Sequence, residues 1–248
     1  MKLFALPLLA VLSCVNSYTP SRLFQIPIVV ITFDDAHPSV YQFAFPAMRR
    51  MDSSWAATHF FPSSFAGQNG STTVEQAREM EKAGWETGGH CVTHENLSSL
   101  PLDSVEPQIQ GDYHFLTDNR LAHESFAYPF GNYNDTVKAV VKKYFRNIRT
   151  SHDFDYVSGI DRTELGYYAV KQGCAAQDII ARVEHARAIG SALVIIGFHA
   201  VIADSTASWP PASYWCTESV FSSFLQYLHN EEFPVLTLSN AMDMLCNE

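Results

Sequence analysis

The stretch IVVITFDD, residues 28–35, decides the fold that this sequence predicts. Residues 28–31 form an unbroken β-branched apolar run, which is typical of a strand buried on both faces of a parallel sheet. Asp34 and Asp35 follow at its carboxyl end, where catalytic groups gather in barrels and open α/β sheets. Neighbouring side chains of an extended segment point to opposite faces, so the two carboxylates can have different roles. Alternatively, the two aspartates only mark the N-terminus of a helix, because Asp favours N-cap positions and the first turn.

Predicted strands and helices alternate along the rest of the chain. Short segments that contain β-branched or aromatic residues predict strands over residues 55–61, 85–89, 125–128, 145–150, 165–170, 192–198 and 233–238. Apolar residues at helical spacing predict helices over residues 40–51, 73–83, 102–119, 134–144, 175–189 and 218–229. This alternation favours an α/β fold with mainly parallel strands and helical crossovers, either a barrel or a doubly wound sheet.

Length and charge narrow the class of protein. The 248 residues suffice for one large domain, and the formal net charge of -10 argues against a nucleic-acid binder, which needs a basic surface. Residues 1–17 combine Lys2 with a short apolar core, which predicts a cleaved secretory signal peptide before a single domain of residues 18–248. If the protein is bacterial, Cys14 is instead a candidate lipid anchor. No later apolar stretch is long enough to span a membrane.

Secretion sets expectations for the cysteines and for three asparagines. Four cysteines follow the leader: Cys91, Cys174, Cys216 and Cys246. An oxidising compartment permits three pairings of them, and a Cys174–Cys216 disulfide is favoured because both residues fall in predicted loops. Asn-x-Ser/Thr sequons, which indicate a eukaryotic secreted glycoprotein, occur at Asn69, Asn96 and Asn134.

Two histidines follow another predicted strand. The segment GHCVTH, residues 89–94, places His90 and His94 four residues apart, on one face of a helical turn. With Asp35 they make a two-nitrogen, one-oxygen set, and three protein ligands leave a position open for water, as in catalytic zinc sites. Iron, manganese and cobalt accept the same donors. Cys91 is a weaker candidate ligand, since its place beside His90 turns it to another face.

Two further stretches end predicted strands with groups suited to chemistry. The segment FAYPFG, residues 126–131, enters a tight turn, and His199 directly follows the buried run of residues 193–198. His199 is either a core histidine with satisfied hydrogen bonds or a general acid at the same edge of the sheet as Asp34 and Asp35.

The order of these features resembles the polysaccharide deacetylases, which form carbohydrate esterase family four and share a chitooligosaccharide deacetylase homology domain. The resemblance rests on residues 32–35, 90–94, 128–131 and 193–199 and covers most of the chain after the leader. It implies a distorted (β/α) barrel of mainly parallel strands with a metal-dependent hydrolase site at one end.

The resemblance also implies a role for each residue of the motifs. Asp34 would be the general base and His199 the general acid. Asp35, His90 and His94 would hold one divalent metal ion, with zinc preferred. The main-chain N–H of the phenylalanine in the turn would help to stabilise the oxyanion. The substrate and oxyanion wall would consist of Tyr128, Pro129, Phe130 and Gly131.

Three positions depart from the pattern of the family. Ala36 stands where the family has a glycine, and Cys91 stands for its usual Ser or Thr. Ala127 occupies the place of an arginine that pairs with the base in many members, so we expect a less depressed pKa for Asp34. The acid that pairs with His199 has three exposed candidates: Asp153, Asp155 and Asp161.

The predicted function is removal of N-acetyl groups from N-acetylglucosamine polymers of the chitin or poly-N-acetylglucosamine type by a secreted, metal-dependent hydrolase. An O-deacetylase acting on acetylated xylan is the nearest alternative, since it would use the same site. A non-catalytic carbohydrate-binding protein on the same fold is a more distant one, because a binder has no need of a full hydrolytic set. The expected partner is an N-acetylated polysaccharide or oligosaccharide, with neither nucleic acid nor a stable membrane span.

Overall fold

The computed structural model describes residues 26–205 and 213–246 of the chain, so the predicted leader and Cys14 lie outside the described residues. Its strands are Ile28–Phe33 (β1), Thr58–Phe61 (β2), Glu86–Gly89 (β3), Ser125–Ala127 (β4), Asn147–Arg149 (β5), Tyr168–Ala169 (β6), Leu193–Phe198 (β7), Ala200–Ile202 (β8), Trp215–Thr217 (β9) and Val235–Leu236 (β10). Its α-helices are Phe45–Met51 (α1), Val74–Lys82 (α2), Leu102–Asp118 (α3), Asp135–Val141 (α4), Ala176–Ala188 (α5), Glu218–Asn230 (α6) and Leu238–Cys246 (α7). A π-helical segment, Val40–Ala44, leads into α1.

Strand β1 lies at the centre of a sheet of parallel strands. It pairs with β7 along its whole length, with β2 at its carboxyl end and with β10 near its start. The strand order is β5-β4-β3-β2-β1-β7-β6, with β10 also beside β1. Because every one of these pairings is parallel, the carboxyl ends of β1, β3, β4 and β7 reach the same edge of the sheet.

The sheet curls into a distorted, half-open (β/α) barrel, which confirms the predicted fold class. Alternate residues of β1 face two different clusters, as the period of a strand requires. Ile28 and Val30 pack inside the barrel with Phe60 and Leu238. Val29 and Ile31 point to the other face and pack beneath the helices. On the open side, a parallel bridge joins β5 to the segment before β6.

A buried carboxyl group and α7 close the amino-terminal end of the barrel. Glu86, the first residue of β3, is 4% exposed. It accepts hydrogen bonds from the Thr58 hydroxyl (2.9 Å) and from the main-chain N–H (3.0 Å) and hydroxyl of Ser239. Burial raises the pKa of Glu86, although these donors oppose that shift. The network ties the start of α7 to β2 and β3, because Leu238 N–H also donates to the Thr58 hydroxyl.

Three elements were not predicted from the sequence. Strands β8 and β9 form a separate parallel pair outside the main sheet, in a stretch where the sequence predicted an irregular loop. The chain after residue 237 forms α7 rather than the end of a strand, and its buried residues have the helical spacing that could have revealed it: Leu238, Ala241 and Met242.

The structure does not contain the predicted Cys174–Cys216 disulfide. Both residues are separate thiols that pack with the same hydrophobic cluster. Burial, and then the neighbouring Cys174, raise the pKa of the Cys216 thiol. The Cys91 thiol is buried in a different cluster, beneath α3 and α4, and therefore cannot pair with either of them in this fold.

Among the described residues, no helix combines the length and the apolar character needed to cross a bilayer.

Two leucines test where the helices bury their apolar faces. Leu228 on α6 is fully buried, whereas Leu102 at the start of α3 is 67% exposed. We expect Leu228→Ala to lower the free energy of unfolding by about 2–5 kcal/mol, because it leaves a cavity in a packed core. The matched Leu102→Ala should change it by less than about 0.5 kcal/mol. Urea denaturation of both variants measures the difference, and equal effects would contradict the assignment of the α6 face.

Candidate active site

A buried ion pair holds the first acid of the central motif. Asp34 follows β1, is 4% exposed, and receives a 2.5 Å hydrogen bond from Nη2 of Arg149 on β5. The guanidinium group of Arg149 lies between two aromatic rings, 5.2 Å from the centroid of Phe60 and 4.2 Å from that of Tyr167. The base predicted from the sequence is therefore oriented by a cation that is itself fixed by packing.

The absence of an arginine at Ala127 does not leave Asp34 without a cationic partner. Burial opposes its ionisation, but the charges of Arg149, His199 and His90 outweigh burial and hold the pKa of Asp34 below its ordinary value. Ala127 does leave its own position without a cation. It is, however, the direct neighbour of Arg149 in the pairing of β4 with β5, so the cation comes from the adjacent strand.

The second acid meets the two histidines. Asp35 Oδ1 lies 3.0 Å from His94 Nε2 and 3.4 Å from His90 Nε2. The Nδ1–H of His90 donates to the main-chain carbonyl of Ala127 at 2.7 Å. This hydrogen bond fixes the tautomer of the ring and leaves Nε2 as the nitrogen that can bind a metal ion. Burial opposes ionisation of Asp35, but hydrogen bonds from His199, His90 and His94 hold its pKa well below the usual range.

These three side chains fit a divalent transition metal. Asp35, His90 and His94 each offer one ligand atom, and the atoms lie within 4.8 Å of one another. Two imidazole nitrogens and one carboxylate oxygen are a donor set that zinc, iron, manganese and cobalt accept. Cys91 is not part of the group, and burial raises the pKa of its thiol to about 12, so it stays protonated.

His199 lies across the site from the two histidines. Its Nδ1 is 3.0 Å from Asp35 Oδ2 and its Nε2 is 3.7 Å from Asp34 Oδ2. Burial opposes its protonation, but Asp35 and Asp34 outweigh burial and raise the pKa of His199 above its ordinary value. Its ring stacks on Tyr214 with centroids 4.9 Å apart, which limits its rotation.

The three candidate partners of His199 are engaged elsewhere. Asp153 and Asp155 bind Arg182 on α5. Asp161 accepts two hydrogen bonds from Thr163 within its own turn. Within the described residues, the carboxylates nearest to His199 are therefore the two of the central motif.

The turn after β4 reaches the same site, although not all of its residues do. Tyr128 and Pro129 are buried, whereas Phe130 is 63% exposed and its ring lies 4.7 Å from that of His94. Gly131 has a φ of +68°, and an added Cβ would lie 2.1 Å from atoms of Ser151. Of the predicted substrate wall, Phe130 is therefore the residue that is both exposed and beside a candidate metal ligand.

Backbone strain is concentrated in the turns that carry these groups. Five non-glycine residues there have left-handed φ values between 54° and 69°: Asp35, Ala36, Cys91, His94 and Phe130. Such conformations cost about 1–3 kcal/mol each and persist where the surrounding structure fixes them, often at functional sites. Ala36, which replaces a glycine in the pattern of the family, is one of them.

Comparison with known proteins agrees with this geometry. The family model for polysaccharide deacetylase matches residues 24–146, about half of the chain, including both acids and both histidines of the candidate metal site. The chain belongs to the polysaccharide deacetylase family. The putative polysaccharide deacetylase YxkH of Bacillus subtilis (strain 168) is 32% identical over 117 residues, which are 46% of this chain and 41% of that protein. The chain thus spans about two fifths of the length of this curated relative.

Solved structures share the fold of this deacetylase-family chain. The Xyl-CE4 domain of a multidomain xylanase from the hindgut metagenome of Trinervitermes trinervoides has 15% identity and a TM-score of 0.60, over 88% of this chain and 91% of that one. A family 4 carbohydrate esterase from Streptomyces lividans in complex with acetate has 18% identity and a TM-score of 0.54, over 84% and 91%. BA3943, a CE4 family pseudoenzyme from Bacillus anthracis, has 17% identity and a TM-score of 0.59, over 88% and 66%.

Two buried residues of the deacetylase-family site were missed from the sequence. Arg149 lies in the predicted strand of residues 145–150, and a charged residue is almost never fully buried unless it is paired. Asp112 occupies a position of the apolar stripe of α3, with Val105, Ile109 and Leu116. It is fully buried, and burial raises its pKa to about 7. For Asp112 the signal was a charge at a position that the helix period assigns to the core, whereas the sequence around Arg149 has no comparable apolar pattern.

Removing Arg149 should leave the Asp34 carboxylate buried and unpaired. We expect Arg149→Met to lower the free energy of unfolding near neutral pH by about 3–5 kcal/mol, whereas Arg50→Met, at an exposed position on α1, should change it little. Urea denaturation of the metal-free proteins measures both effects.

The effect of Arg149→Met should also depend on pH. The wild-type Asp34, with a lowered pKa, contributes stability above its unfolded pKa of about 3.9, and this is lost as pH falls through the folded value. In the variant, burial raises that pKa, so the penalty disappears on acidification and the two stability curves converge. A difference that stayed constant between neutral and acidic pH would contradict the ion pair.

Proposed function

We propose that this protein is a metal-dependent hydrolase that removes N-acetyl groups from N-acetylglucosamine polymers of the chitin or poly-N-acetylglucosamine type. The observation that carries the proposal is the division of labour between adjacent acids. Asp34 is held ionised by Arg149, while Asp35 faces two histidine nitrogens. A carbohydrate-binding protein needs neither a buried ionised base nor a three-donor metal set beside it.

The residues of the site support an ordered set of proton transfers. A divalent metal held by Asp35, His90 and His94 would polarise the acetyl carbonyl and make water more acidic. Asp34 would accept the proton of the attacking water, since Arg149 keeps its carboxylate ionised. His199, with its raised pKa, would donate a proton to the departing nitrogen. The main-chain N–H of Phe130 would stabilise the oxyanion.

The exposed aromatic surface supports a sugar substrate. Phe130 is 63% exposed beside His94, and Tyr214 stacks on His199 on the other side of the site. Sugar rings present apolar C–H faces that pack against such rings. The two aromatic side chains therefore flank the point at which an acetamido group would meet the catalytic residues.

The activity test is mass spectrometry of N-acetylglucosamine oligomers after incubation with the protein, with added zinc and with a chelator. We expect zinc-dependent loss of acetyl groups and release of acetate. Acetylated xylan serves as the parallel substrate, and turnover of the xylan alone would replace the N-deacetylase with an O-deacetylase. Loss of neither type of acetyl group, with no bound metal, would leave the binding protein.

Two substitutions should separate the base from the metal site. Asp34→Asn should lower kcat by about 10²–10⁴-fold, the usual contribution of a general base, and leave zinc bound. His94→Ala should lose both zinc and turnover, because it removes one of three ligands. Metal content by elemental analysis is the matched measurement. Normal turnover of Asp34→Asn would show that another residue is the base.

We also propose that the protein is secreted. The leader-like residues 1–17 and the sequons at Asn69, Asn96 and Asn134 support this, as does a polymeric substrate of this kind. Asn69 and Asn134 are exposed. The mass of the protein purified from the medium of a eukaryotic host, before and after removal of N-glycans, checks both cleavage and glycosylation.

A further inference from the structure

Helix α3 is pressed against the loop that carries the two metal histidines, here called the histidine loop, residues 90–94. Two glycines lie at the contact. A Cβ on Gly89 would come within 2.7 Å of the Asp112 carboxylate, and one on Gly111 within 2.9 Å of the Val92 side chain. Larger residues at either position would push the helix away from the loop.

Polar groups of α3 bind the loop along its length. Asp112 Oδ2 accepts the main-chain N–H of His90 at 2.7 Å. One helical turn earlier, the Gln108 side-chain carbonyl accepts from the N–H (3.0 Å) and the hydroxyl (3.1 Å) of Thr93. The main-chain carbonyl of Gln108 accepts from Val92 N–H at 3.1 Å. Gln108 and Asp112, on two consecutive turns of α3, therefore both bind the histidine loop.

Asp112 also connects the histidine loop to the end of the neighbouring strand. Its other oxygen, Oδ1, accepts the main-chain N–H of Ser63, just after β2, at 3.0 Å. One fully buried carboxylate therefore links α3 with the segments that follow β2 and β3. Each of its oxygens accepts a main-chain N–H, so these contacts fix backbone positions.

The backbone of the histidine loop is strained and needs contacts that hold it in this conformation. Cys91 and His94 have φ values of +57° and +56°, a conformation that L-residues avoid. The loop must nevertheless bring His90 Nε2 and His94 Nε2 to the same oxygen of Asp35. Main-chain hydrogen bonds to a rigid helix offset this strain in the folded protein.

We propose that Asp112, supported by Gln108, is the positioning residue of the metal site: it holds the histidine loop in the conformation in which His90 and His94 can bind one divalent ion together. The inference rests on the proposed function only for the identity of the metal site. Asp112 touches neither the metal ligands' donor atoms nor the proposed substrate, so it acts through the backbone of His90.

The test is a titration of the metal-free protein with Co²⁺, followed by the visible absorption of the bound ion. Asp112→Asn keeps the shape of the side chain but replaces one acceptor oxygen with a donor NH₂ group. We expect the Co²⁺ dissociation constant to rise by about 10–100-fold, as for other residues that orient ligands. The absorption spectrum should also change, because the angle between the two imidazoles is no longer fixed.

Glu86→Gln is the matched control, because Glu86 is another buried carboxyl group and lies on β3, the strand that leads into the histidine loop. It accepts a main-chain N–H from Ser239 at the opposite end of β3. Its substitution should lower the melting temperature and leave Co²⁺ affinity and spectrum unchanged. Equal Co²⁺ affinities for Asp112→Asn, Glu86→Gln and the wild type would overturn the proposal, as would equal losses in both variants.

If Asp112→Asn does not fold, Gln108→Ala provides the test, since Gln108 is only half-buried. It removes the two contacts to Thr93 and should weaken Co²⁺ binding, and unchanged affinity would then overturn the proposal. The titration contains no substrate. An inactive protein whose Co²⁺ affinity depends on Asp112 would refute the proposed hydrolase alone, whereas a wild type that binds no Co²⁺ would refute both.

Discussion

The hydrogen bonding of β1 is the constraint on which the rest of this structure depends. The strand is paired on both sides, with β7 along its length and with β2 and β10 at its two ends, and both of its faces are buried. Its carboxyl end can therefore leave the sheet only at the edge where β3, β4 and β7 also end. Asp34 is held there by its main-chain N–H, which donates to the carbonyl of Phe198 at 3.0 Å.

The site contains a buried ion pair, and burying these charges costs free energy of folding. Arg149 and Asp34 are nearly free of solvent, and such a pair is worth little by itself, because desolvation offsets most of the Coulombic attraction. What the pair provides is an ionised carboxylate with a fixed orientation beside a second carboxylate. The aromatic rings of Phe60 and Tyr167 keep the guanidinium group in place without competing for its hydrogen bonds.

The fold alone does not decide activity, since one of the similar solved structures is a pseudoenzyme of the CE4 family. The groups of the candidate site lie in the turns after the strands. Arg149 on the edge strand β5 binds the Asp34 carboxylate, and Asp112 on helix α3 accepts the main-chain N–H of His90. Arg149 lies on β5 beside Ala127, so the cation that pairs with Asp34 comes from the strand next to β4.

The sequence by itself determined the elements that carry a strong local pattern. The run of residues 28–31 and the apolar stripes of the helices predicted an α/β fold with mainly parallel strands, because period is a property of the chain alone. The resemblance of the motifs to the deacetylase family implied the barrel and placed Asp34, Asp35, His90, His94 and His199 at one end of it.

Only the tertiary structure decided which buried charges meet. Arg149 lies 115 residues from Asp34 along the chain, and Asp112 lies 22 residues from His90. A charge at a core position indicates that a partner exists, but its identity depends on strand register and on the approach of a helix. The same limit applies to the short strands β8 and β9, which exist because they pair with each other. Local pattern determines which residues are buried, and three-dimensional packing determines what they bind.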